Sequence, residues 1–296
     1  MGDSDNISNP NTNVEEPGNI FSALLNIFPI SSTFAWNIQI WMEAILITIL
    51  SLFVVQALGV PESGLIGLSL ASAAMVPRFN TILAINRERI WAAEGTGRRV
   101  NSQSALSCLS IFSGMFIGFL LIAIITDYQS LQENFGFVLR ETGFEPGDVL
   151  SPERFELGTA VVIHNIIILL AFSILALLYR SLGTMIAVGW NACVWAITIT
   201  LFIKSGTGND TGQFLTGLVI ILAIMPHLIV EALGYISGAL CGIFLSRGIT
   251  IYDFSDQRLK RVMFAVLVLA VVAIVLIIVA GLIENSYAPY ILELIN

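Results

Sequence analysis

Residues 160–203 read AVVIHNIIILLAFSILALLYR, then Ser181, then LGTMIAVGWNACVWAITITLFI, and Arg180 is the sole charged side chain in the run. A helix needs about 20 apolar residues to cross the hydrocarbon core of a bilayer, which is roughly 30 Å thick. The run is long enough to cross, turn at Arg180 and cross back. Working outward, residues 37–58, 104–126 and 262–283 are apolar stretches of similar length. Residues 214–245 would measure about 48 Å as one straight helix. That stretch must tilt, protrude or break, and Pro226 near its middle is the expected hinge.

These six stretches predict an all-α polytopic transmembrane helical bundle with about six spans. The whole composition agrees, since 56% of residues are hydrophobic and only 11% charged. A soluble domain carries about a quarter charged residues, so lipid must cover much of this chain. Residues 63–76, SGLIGLSLASAAMV, are too short to span, and Pro77-Arg78 follows at once. From the end of that stretch onward Met75, Phe79, Ile82, Leu83 and Ile90 recur at helical spacing. A helix on the membrane surface or packed against the bundle is expected there, with a short seventh span as the alternative.

The chain divides into residues 1–34, with an acidic tail over 1–18 expected to be disordered followed by an amphipathic surface segment from Ile20 to Ile30, and a single transmembrane domain over 35–296. With the N-terminus outside and six crossings, ten of the thirteen cations fall on the cytoplasmic side: Arg78, Arg87, Arg89, Arg98, Arg99, Arg180, Arg247, Arg258, Lys260 and Arg261. Fourteen of the twenty-one acids fall outside, chiefly in the tail and in the 127–159 loop. This is the positive-inside pattern of a cell-membrane protein with basic cytoplasmic loops. If 63–76 also crosses, only the N-terminal tail changes side. No basic patch invites nucleic acid. Cys108, Cys193 and Cys241 lie in apolar stretches at no metal-ligand spacing and read as small packing residues.

Polar groups inside spans are expensive and are functional candidates. His164 and Asn165, Asn191, and His227 with Glu231 are the intramembrane set, and the last two share a helix face just after Pro226. A hydrogen-bonded cluster of these five that holds the bundle together is the plain expectation. His164 would be the third ligand if His227 and Glu231 held a metal, a weak signal that leaves the expectation at no metal and no cofactor. No HExxH, no GxSxG and no acidic pair within the spans is present, so no enzyme activity is expected. Gly234, Gly238 and Gly242 form a stripe at four-residue spacing, and Gly114 and Gly118 a shorter one, which lets helix backbones approach closely. Such a stripe can meet a helix of the same chain or a second copy in a homo-oligomer; a contact within the chain is the expectation.

Two segments carry a resemblance. One is His164-Asn165, followed by Gly183-Thr184 and then Asn191-Ala192. The other is Pro226-His227-Leu228-Ile229-Val230-Glu231-Ala232, with Gly234 and Gly238 trailing. Over about 155–248 the chain resembles the stage II sporulation protein M family, integral membrane proteins of uncertain function. It departs where Ala192 and Leu228 stand at positions that the family usually fills with glycine. The resemblance implies a multi-pass component of cell-envelope remodelling that works with membrane or envelope protein partners, since the sporulation member acts in a complex localising peptidoglycan-degrading enzymes. A scaffold or anchoring role is the first expectation. The alternative is passage of protons, ions or lipid through a His227/Glu231 cluster beside an interrupted helix.

Overall fold

In a computed structural model, residues 33–92, 97–143, 159–205 and 210–293 are described. The expected tail and surface segment of 1–34, apart from its last two residues, lie outside them. The described residues are helical throughout apart from short connections: α1 Thr33–Ala57, α2 Ser63–Ala92, α3 Gly97–Ile125, α4 Tyr128–Asn134, α5 Gly136–Thr142, α6 Thr159–Ser205, α7 Asp210–Ile251 and α8 Gln257–Glu293. Six of these, all but α4 and α5, are long and apolar enough to cross a membrane.

The count of six conceals two changes. The spans expected over 160–180 and 182–203 are two arms of α6, which turns back at Arg180 with φ 54° and ψ −124°. Behind the turn the arms close tightly: a Cβ on Gly183 would stand 2.1 Å from the Leu175 carbonyl oxygen, so only glycine fits. The second change is α2. Residues 63–76 are not a short element but the first half of a 30-residue helix that runs straight through Pro77. It does not lie on a surface. Leu68, Ala71, Met75, Phe79, Ile82 and Leu83 are all buried in the main core.

Contacts at its two ends show that α2 traverses the bundle. At its start the Ser63 hydroxyl donates to Asn134 Oδ1 at 2.9 Å, and Arg140 pairs with Glu62 at 3.0 Å. Lys204, at the far end of α6, donates to the Ile124 carbonyl near the end of α3 at 3.0 Å, which gathers the same end of the bundle. Toward the other end of α2, Asn80 accepts from Ser181 at 2.6 Å and from Arg247 at 2.8 Å, and Asn86 donates to Ser104 at 2.8 Å. One end of the bundle thus gathers Glu62, Asn134, Arg140 and Lys204, and the other Asn80, Asn86, Arg180 and Arg247. With α6 counted as two arms, seven apolar arms run between them.

The glycine stripes show how the arms close. Gly114 and Gly118 on α3 sit against Trp41, Ala44 and Thr48 of α1, where a Cβ would come within 2.5 Å of the Trp41 carbonyl oxygen. On α7, Gly238 and Gly242 face Leu169 and Ser173 of α6, while Gly234 faces Ile277 of α8. Both stripes therefore meet helices of the same chain. Burial of Ala192 and Leu228 in the core shows that the two residues larger than glycine fill helix contacts.

Pro226 does not break α7, which continues as one helix from Asp210 to Ile251. Proline removes one backbone donor and crowds the preceding turn. Inside a bundle, neighbouring helices and side chains compensate for the freed backbone groups; before Pro226, Gly217 of α7 lies near Ile203 of α6, and after it α7 packs on both α6 and α8.

Arg78 is the largest correction to the charge map. It was expected in a cytoplasmic segment, yet its side chain is 1% exposed. Its guanidinium forks onto the Glu43 carboxylate of α1, with Nε donating to Oε2 at 2.6 Å and an Nη to Oε1. Gln39 also donates to Glu43 at 3.1 Å, and Trp36 stacks under the guanidinium at 4.7 Å. A planar fork on a carboxylate is the arrangement in which an arginine is tolerated away from water. Removing one partner strands a buried charge and costs about 3–5 kcal/mol, whereas replacing both with apolar residues is often neutral. Glu43→Leu or Arg78→Met alone should therefore sharply lower the unfolding temperature in detergent. The double substitution should recover most of the loss.

Candidate functional site

The polar groups of α7 and α8 meet on a buried face. His227 and Glu231 are one turn apart on α7, at 0% and 4% exposure. From α8, Glu284 joins them, and the ligand atoms of all three lie within 4.8 Å of one another. The antiparallel packing that puts Gly234 beside Ile277 brings the two helices into this register, so residues before 234 face residues after 277. Two aromatic groups complete the surroundings. The Trp195 ring of α6 meets the His227 imidazole edge-on at 5.2 Å, and the Trp195 indole and Tyr235 hydroxyl flank the Glu231 carboxylate.

Of the five residues expected to form one cluster, the structure places His227 and Glu231 side by side and leaves His164 on the exposed surface of α6. Asn165 is buried. Asn191 is buried too, but its amide donates to the Ala187 carbonyl of its own helix at 3.0 Å. The third carboxyl or imidazole group is therefore Glu284 and not His164. Glu284 was missed because the last apolar stretch ends at Ile283 in the sequence, which counted the next residue as outside. The same error hid an acidic pair within the helices, Glu231 with Glu284. The continuing helix through Ile291 was the available signal, since its apolar residues resume after Glu284.

Chemically the site offers one imidazole nitrogen and two carboxylates in an apolar setting. Glu284 acts on Glu231 as a like charge. No complete nucleophile and base set appears in it, and the three cysteines are free thiols elsewhere in the bundle.

A family model described as Stage II sporulation protein M matches residues 106–289. The chain belongs to that family. The match begins inside α3 and takes in α4 to α7 and most of α8, including all three residues of the site. The α1–α2 pair with its Glu43–Arg78 fork precedes it. No curated protein and no solved structure matches the chain. Family membership and six apolar helices make this a multi-pass membrane protein.

The register of α7 against α8 is directly testable. In a background with the native cysteines changed to alanine, Glu231→Cys combined with Glu284→Cys should crosslink with a short bifunctional maleimide. Ile229→Cys, on the exposed face of α7, should not crosslink to Glu284→Cys.

Proposed function

We propose that this protein is a membrane scaffold that docks envelope proteins on the acidic end of its bundle. One observation carries the reading: the segment after α3 folds into a fixed cap. Leu131 of α4, Phe135 between the two short helices, and Phe137 and Val138 of α5 are buried, and Phe137 rests on Trp190 at 5.3 Å. Gly64 leaves room for the Phe135 ring, which a Cβ there would strike at 2.4 Å. Asp127 caps α4 by accepting from the Ser130 backbone N–H at 2.9 Å. That same N–H holds its carboxyl below the usual carboxylate range, so it stays ionised at neutral pH. Glu133 and Glu141 are exposed on the cap. A rigid, acidic platform suits partner docking because little ordering is needed on binding.

The arginine-rich end then faces the cytoplasm and the cap faces outward. With α2 as a seventh crossing, the N-terminal tail joins the arginine-rich side, the alternative left open by the charge count. The transport reading loses one of its two supports, because α7 is not interrupted at Pro226.

Glu133→Lys with Glu141→Lys should leave the protein folded and abolish recovery of a defined envelope protein in mild detergent. Wild-type protein that purifies alone under those conditions, or a partner that stays bound to the charge-reversed protein, contradicts docking at this cap.

A further inference from the structure

We propose that His227, Glu231 and Glu284 form a binding site for a divalent first-row transition-metal ion, with Zn2+ as its probe. This site is separate from the cap and does not depend on the docking role. Its premise is electrostatic. Two carboxylates and an imidazole whose ligand atoms lie within 4.8 Å of one another sit where apolar helices pack. Ionised carboxylates in such a setting need a compensating charge. Glu284 acts on Glu231 as a like charge, and neither acid belongs to the Arg78–Glu43 or Arg140–Glu62 ion pairs. A dication bound by two carboxylates and one neutral imidazole gives a site of zero net charge.

The donor set suits this class of ion. Imidazole nitrogen and carboxylate oxygen are borderline-to-hard donors that Zn2+ takes at bonds of about 2.0–2.2 Å, which sets donor atoms roughly 3.4 Å apart in a tetrahedron. Closing from separations of at most 4.8 Å to that spacing is a side-chain adjustment. Three protein ligands leave a fourth position open to water. Groups behind the ligands are also in place. Trp195 packs edge-on against the His227 ring, and the Tyr235 hydroxyl lies beside the Glu231 carboxylate, so both ligands have aromatic neighbours packed against them. Glu284 is the partly exposed member and gives the ion its route in.

The consequence is structural. The ion would pin α8 to α7 from within, at the same face where Gly234 allows close approach to Ile277.

The test uses full-length protein in detergent, stripped with a chelator and then titrated with Zn2+ alone. Equimolar Zn2+ should be retained after desalting, and the unfolding temperature should rise on binding. Co2+ in its place should give the visible absorption of a low-coordinate nitrogen–oxygen site. Glu284→Gln and His227→Ala should each lose retention and the Co2+ spectrum while still eluting as monodisperse protein. His164→Ala, altered on the exposed surface of α6, should retain the ion. Monodisperse wild-type protein that keeps no Zn2+ would overturn the proposal. Retention unchanged in monodisperse Glu284→Gln would overturn it equally. If both substitutions cause aggregation, X-ray absorption of the Zn2+-loaded wild type decides: a low-coordinate shell with imidazole and oxygen scatterers supports the site, and a shell without imidazole overturns it.

Discussion

Hydrocarbon offers no hydrogen bonds, so a polar atom carried into the bilayer by a helix must find its partner on another part of the protein. Much of this bundle can be read from that requirement. Arg78 would be untenable in an apolar core by itself, and its fork on Glu43 with Trp36 beneath fixes α2 against α1. Once α1 and α2 are joined there, Ser63 reaches Asn134 at one end and Asn86 reaches Ser104 at the other. The apolar packing of Met75, Phe79 and Leu83 fills the space between but would tolerate sliding far better than a bidentate ion pair does.

Close approach is the second requirement, and small residues meet it. The α7 glycines open one face to α6 and another to α8, so a single helix is gripped from two sides. The contact with α8 also sets the register that brings Glu284 to His227 and Glu231. The site therefore follows from the packing at Gly234, where α7 meets α8.

Length and hydropathy were enough to read the apolar helices, the hairpin at Arg180 and the glycine stripes from the sequence. Hydropathy failed where a charge was internal. Arg78 made α2 look too short to cross, because nothing local says that an arginine has a carboxylate 35 residues earlier to receive it. Glu284 was lost the same way at the end of α8. The converse error was His164, placed with the buried cluster because it shares an apolar stretch, although its side of α6 faces outward. Pairings between helices decide all three, and a single sequence carries periodicity but not pairing.

That α2 runs from one end of the bundle to the other is the claim on which the polar pairing and the orientation both rest. Side-specific labelling tests it most directly: Glu62→Cys and Arg87→Cys, each as the sole cysteine, probed with a membrane-impermeant maleimide before and after permeabilisation. Labelling of position 62 in intact cells and of position 87 only after permeabilisation is expected. Labelling of both positions from the same side would contradict it.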